Sequence, residues 1–237
     1  GVTPPSGTPS STVQPEAGCV RVQAARLLDT RDPARGGANG MLGAGRALTV
    51  DAGSLVPSGA TSLTLNVTAL APCSNGYLAV YSCGVPPRVS SMNYAAGRTS
   101  STMTVTALAG TTFCVYSSAS ADVVVDLVGA FAPDGALFHP MTPTRWANSL
   151  GPTWQVPVPA SPYNPGVQID IPVAGHGAVP ANATAAAVTV AAINSQWPGS
   201  IGMYPGPCRA NPPGTATVTT YLGRSAVSDT IVPIGTN

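Results

Sequence analysis

A chain interrupted every few residues by glycine or proline cannot sustain long helices, and this one carries 26 glycines and 25 prolines in 237 residues. Glycine costs a helix interior about 1 kcal/mol and proline about 3 kcal/mol relative to alanine. Local structure is therefore confined to short segments. Between the breakers lie mainly valine, threonine, serine, alanine and leucine, a composition that suits strands joined by tight turns. Leu63, Leu65 and Val67, and again Leu78 and Val80, alternate with smaller or polar residues. That is the period of a strand with one face turned inward. Strands are predicted over 20–28, 47–51, 62–69, 77–82, 89–94, 102–107, 112–116 and 122–128. So many short strands in about 110 residues predict an all-β, antiparallel sandwich of jelly-roll type.

Charge is scarce, and its distribution excludes several functions. All ten basic residues are arginine, and Glu16 is the sole glutamate among nine acidic residues. Without lysine there is no Schiff-base amine and no P-loop lysine; with one glutamate there is no Glu-Glu glycosidase pair. A net charge of +1 with no basic run gives no electrostatic footprint for nucleic acid. No apolar run reaches the roughly 18 residues of a bilayer span. Cys19, Cys73, Cys83, Cys114 and Cys208 have neither CxxC spacing nor histidines nearby, so neither a metal nor another cofactor is expected. They read as disulfide cysteines of a secreted or cell-surface protein. Gly1 opens on a polar segment, the expectation being a mature chain whose signal peptide has been removed.

The densest charge lies in ARLLDTRDP, residues 25–33, where Arg26, Asp29 and Arg31 stand in an apolar setting. Half-buried charges are tolerated when paired and hydrogen-bonded, so these three, joined by Asp126, are predicted to form a clasp tying the first strand to the last. The histidines, His139 and His176, sit beside proline or between glycines, and neither GxSxG nor HExxH occurs. No catalytic residue is expected, and the chain reads as non-enzymatic.

The second half repeats the first. TRWANS at 144–149 stands where ARLLDT stood at 25–30, and VPANAT at 179–184 answers VPSGAT at 56–61. AVTV at 187–190 echoes LNVT at 65–68, Met203-Tyr204 echoes Val80-Tyr81, and YLGR at 221–224 echoes YAAGR at 94–98. The division is a Pro/Thr/Ser-rich arm over 1–17, a complete domain over 18–133 and a second domain over 134–237. The second copy lacks counterparts of FCVYS and VVVDLVGAF, so two tandem sandwiches are predicted, the second without its last strands. It also places Asn148 for Asp29 and Leu150 for Arg31, which confines the charge pair to the first copy.

The ordered phrases RLLDTRDP, VPSGATSLTLNVTA, GYLAVYSCG, SSMNYAAGRT, FCVYSS and VVVDLVGAF resemble a β domain recurring in secreted proteins of high-GC Gram-positive bacteria. There it is often tandem and appended to cell-wall hydrolases. The resemblance implies an exported accessory domain without activity of its own. It also implies a Cys83–Cys114 disulfide, with Cys208 as the second-copy counterpart of Cys83. Cys19, Cys73 and Cys208 remain for one further bond, within the chain or between chains.

Two functions are expected from different classes. In the first, the protein is a structural component of an extracellular assembly that self-associates head to tail, an extended segment such as the arm completing the second domain of a neighbour. In the second, it is a carbohydrate- or cell-wall-binding module. Trp154 and Trp197, both in loop-like contexts, would then stack on cell-wall polysaccharide, and Trp146, in the place of Leu27, would be core.

Overall fold

The computed structural model describes residues 18–20, 22, 24–37, 40–151, 158–159, 163–208, 212 and 214–235. The arm over 1–17 and Trp154 lie outside the described residues. Nine strands build the first half: β1 (Gly18–Val20), β2 (Ala25–Asp29), β3 (Arg46–Asp51), β4 (Ser62–Leu70), β5 (Gly76–Tyr81), β6 (Met92–Tyr94), β7 (Ser100–Ala107), β8 (Thr112–Ser117) and β9 (Asp122–Ala132). They form two antiparallel sheets. One runs β1-β9-β4-β7 with β2 also on β9, and the other runs β3-β8-β5-β6. The alternation read in the sequence supplies the core: Leu63, Leu65 and Val67 of β4, Leu78 of β5, Phe113 and Val115 of β8, and Val123 and Val125 of β9 are all fully buried.

Two predicted strands are shorter than expected. The segment 20–28 divides into β1 and β2, which pair successively with the same strand: Gly18 to Val20 against Ala132 to Ala130, then Ala25 to Asp29 against Leu127 to Val124. A register shift between Arg26 and Leu28 bends the second piece. The segment 89–94 shrinks to β6 because Ser91 ends the ladder with its side chain, Oγ accepting the Val80 N–H at 2.9 Å.

The second half contains β10 (Ala185–Ala192), β11 (Gly199–Ile201), β12 (Val218–Thr220) and β13 (Ala226–Pro233). Their pairing repeats that of the first half residue for residue. Ser62 faces Ala107 in β4·β7, and Ala185 faces Pro233 in β10·β13. Gly76 faces Tyr94 in β5·β6, and Gly199 faces Thr220 in β11·β12. The turns agree too: Gly97 N–H donates to Pro72 O at 2.7 Å, as Gly223 N–H donates to Ser195 O at 2.7 Å. These pairings correct two matches made from sequence. Thr220, not Tyr221, stands in the place of Tyr94, because it faces Gly199 as Tyr94 faces Gly76. Val188, not Ala187, occupies the place of Leu65, because Ser62 corresponds to Ala185. A slip of one residue would exchange the two faces of the strand.

Segments of the second half that form no strand are equally informative. Residues 144–148 and 168–173, the counterparts of β2 and β3, are irregular. In the first half, β2 pairs with β9 and β3 pairs with β8. Among the described residues the second half has no strand equivalent to either partner, so its remaining strands form two separate two-stranded ribbons.

The second half rests on the outer face of the β1-β9-β4-β7 sheet. Asn66, Thr68 and Asp126 point away from the sandwich core yet are 4, 6 and 1% exposed. Asn66 Nδ2 donates to Ala216 O, Ser101 Oγ lies 3.1 Å from Thr219 Oγ1, and Tyr221 donates its hydroxyl to Thr99 O at 2.5 Å.

Candidate functional site

The four clasp residues meet in one chain of ion pairs. Arg31 donates through Nε and Nη2 to the two Asp29 oxygens at 2.9 and 2.8 Å. Arg26 Nη1 lies 3.6 Å from Asp29 Oδ2, and its Nε and Nη2 donate to Asp126 at 2.9 and 3.3 Å. The clasp therefore joins β2 to β9 across the sheet. Thr30 reinforces it, donating to Asp122 Oδ1 at 3.0 Å and accepting the Val123 N–H at 3.0 Å.

Backbone chemistry fixes this corner as firmly as charge does. Asp32 caps a short 3-10 turn (Pro33–Arg35) by accepting the Ala34 N–H, and Gly36 closes it with φ +74°. A β-carbon on Gly37 would lie 2.3 Å from Asp29 O, so the next step of the chain requires glycine.

The two carboxylates differ electrostatically. The Arg31 guanidinium, through its hydrogen bonds, holds Asp29 below the ordinary carboxylate range. Burial pushes Asp126 upward, and the Arg26 fork only partly offsets it. Each charged group of the clasp is thus engaged by another member of it. One contact was not legible from the repeat: Arg26 Nη2 also donates to Gly214 O at 3.3 Å, so the clasp reaches the second half.

Cys83 and Cys114 form a disulfide, tying the segment after β5 to β8. Cys19, Cys73 and Cys208 are free thiols. Cys19 lies in β1, where backbone bonds of 2.8 and 2.9 Å to Ala136 hold it, and burial raises its thiol pKa. Gly18 and Gly135 approach so closely there that a β-carbon on Gly18 would lie 2.0 Å from Gly135 O. Cys73 is exposed. Cys208 donates its N–H to Asp170 Oδ1 at 2.9 Å; burial and then the Asp170 carboxylate push its thiol upward, against the lowering effect of the Tyr204 hydroxyl.

The most distinctive geometry is a pair of open strand edges. In the first half β4 pairs with β7 on one edge and β9 on the other, and β5 with β6 and β8. Their counterparts β10 and β11 each have one strand neighbour among the described residues. The apolar positions behind these edges are uncovered to match. Leu63, Leu65 and Val67 are fully buried, whereas Ala186, Val188 and Val190 are only half-buried. Leu78 is fully buried, but Ile201 is 36% exposed.

Aromatic placement divides by copy. Trp197 is 65% exposed at a loop whose first-half counterpart carries Ser74, and Leu222, in the place of Ala96, is exposed beside the same turn. Trp146 corrects an expectation: it is half-buried rather than core, with Nε1 donating to Pro172 O at 2.9 Å, because the described residues form no sandwich over it. Tyr94 was not singled out in sequence but is central, bridging Ser117 Oγ at 2.9 Å and Ala119 O at 3.0 Å.

A scan against protein-family models matched none, and searches of curated proteins and of solved structures likewise returned no match.

Proposed function

We propose that this protein is a non-catalytic structural component of an extracellular or cell-surface assembly, joined to a neighbour by addition of strands to its second half. The observation that carries the reading is that β10 and β11 each leave one edge without a strand neighbour among the described residues, and these edges coincide with those filled in the first half by β9 and β8. Unpaired strand edges present rows of N–H and C=O groups that another chain can satisfy, and half-covered apolar positions favour the same event. The Cys83–Cys114 disulfide is compatible with an oxidising compartment. When a second copy is the donor, the contact is head to tail and builds a filament or ring.

Fractionation of the source cells tests the reading. The 23.6 kDa chain is expected in the extracellular or surface fraction as non-reduced species many times that mass. Recovery only as a free monomer would overturn it. Negative-stain microscopy of the purified chain identifies the donor as a second copy when filaments form.

Trp197 supports a second reading, that of a wall-polysaccharide-binding module, because an exposed indole replaces a serine at an otherwise repeated loop. Retention on insoluble peptidoglycan that falls at least tenfold in Trp197→Ala is its expected signature. Equal retention of both proteins sinks it.

A further inference from the structure

We infer that the outer face of the β3-β8-β5-β6 sheet binds an uncharged polysaccharide chain, with Tyr77, Tyr81 and Tyr116 as its stacking residues. The inference is independent of the strand-addition reading and uses none of the residues that carry it. Of the two outer faces of the sandwich, that of the β1-β9-β4-β7 sheet carries the second half. The other is open, with Ala47, Thr49 and Asn93 exposed on it.

Strand alternation decides what this face presents. Leu78 and Val80 of β5 and Phe113 and Val115 of β8 belong to the core. Their neighbours Tyr77, Ala79, Tyr81, Cys114 and Tyr116 therefore point outward. Register gathers them: Tyr116 lies opposite Ala79, Cys114 opposite Tyr81 and Asn93 opposite Tyr77, while Ala47 and Thr49 of β3 flank Tyr116 and Cys114. The Tyr77 and Tyr116 rings stand 5.8 Å apart between centroids and are tilted by 43°. Ala79 is 0% exposed although it belongs to the outer face. It forms the floor of a shallow trough walled by the three rings.

Pairing of the strands does not require these rings. In the second half Ser200 stands in the place of Tyr77 and Gly202 in that of Ala79, and β11 still pairs with β12 in the register of β5 with β6. Yet three of the chain's seven tyrosines meet around this one alanine.

The chemistry of the face selects its ligand. A pyranose offers a flat C–H face to an aromatic ring and hydroxyls around its rim that need partners. The three phenols, the Thr49 hydroxyl and the Asn93 amide supply donors and acceptors around the trough. Burial, and then Tyr77 beside it, hold the Tyr116 phenol above its ordinary range, protonated and able to donate. The tilt between the rings lets each take a different sugar of one chain. Charge complementarity narrows the class. Asp51, at the end of β3, is occupied by the Thr111 hydroxyl at 2.7 Å and the Gly53 N–H at 2.9 Å. Arg46, the one arginine of the four strands, lies opposite Ser117 and so belongs to the inward alternation. An acidic polymer would lay its carboxylates on a face that offers no cation, whereas an uncharged one loses nothing there.

The test is a titration of the full 237-residue chain with cellohexaose, laminarihexaose and chitohexaose, followed by NMR at the Ala79 methyl. Hexagalacturonate is the acidic comparator. At least one uncharged hexamer is expected to bind, at least tenfold more tightly than its own monosaccharide and than hexagalacturonate. Tyr77→Ala and Tyr116→Ala should each weaken it at least tenfold, and Trp197→Ala should leave it unchanged. Because loss of a ring could loosen the sheet, Asn93→Arg gives a second reading. Its guanidinium, directly across from Tyr77, would cover that ring and lower affinity at least tenfold at an unchanged melting temperature.

No binding of any uncharged hexamer at millimolar concentration would overturn the inference. So would equal binding of hexagalacturonate, binding that survives both Tyr77→Ala and Asn93→Arg, or binding lost in Trp197→Ala alone. Capture of a protein by this face in place of any glycan would do the same. Binding by a chain that is monomeric in its source keeps the inference and removes only the assembly role.

Discussion

Asp29 holds Arg31 through both carboxylate oxygens and also accepts the Arg31 N–H at 3.1 Å. The repeat separates these roles: Asn148 accepts the Leu150 N–H at 3.0 Å in the same local turn, without any charge. The turn therefore needs only an oxygen two residues back, and the carboxylate is needed for the clasp. Asp29→Asn should retain the turn and lose the ion pairs, destabilising the first half by about 1–3 kcal/mol in chemical denaturation. The pH dependence has a definite sign. The folded pKa of Asp29 lies below its unfolded value, so its contribution is complete above the unfolded pKa of about 3.9 and is lost as pH falls through the folded value. The stability gap between wild type and Asp29→Asn should narrow in that acid range. A gap independent of pH would show that the charge is not the source. Charge rarity made Arg26, Asp29 and Arg31 legible in sequence. The Gly214 contact was not, because it depends on how the halves dock.

At the level of elements, a strand forms where its partner is present. The second half keeps β10 with β13 and β11 with β12, and loses regular structure at the segments whose partners would be β8- and β9-like. Alternation and the internal repeat announced most strands, since a period of two is written locally. The division of 20–28 and the one-residue correction at Val188 were not legible, because register is set by a distant strand rather than by the segment itself. The β8 strand carries the clearest test of element stability in the first half. Its disulfide closes a sequence separation of 31 residues. Replacing Cys83 and Cys114 by serine together should cost roughly 3–4 kcal/mol, lowering the first-half melting temperature by about 6–16 °C in calorimetry. A shift under about 2 °C would show that β3 and β5 hold β8 without the crosslink.

Across the whole molecule, the two ribbons of the second half are individually too small to be stable, since an isolated two-stranded hairpin is marginal in water. Their docking on the outer face of the first sheet supplies support that neither ribbon has alone. That seam is polar: Asn66 with Ala216, Ser101 with Thr219, and Tyr221 with Thr99. Buried polar partners make the seam specific, and loss of one leaves its mate unsatisfied. Asn66 is the sensitive point because its strand neighbour in register is Asp126, itself buried. In Asn66→Asp a carboxylate would replace the donor to Ala216 O and place like charges directly across the strands. The first half should keep its core, whose side of β4 is unchanged, while β12 and β13 lose their support. Hydrogen exchange in β12 and β13 is expected to accelerate at least tenfold, and protease cleavage within residues 134–184 to quicken. Unchanged exchange in those strands would mean that the second half stands without the seam, and its stability would then have to reside within the ribbons.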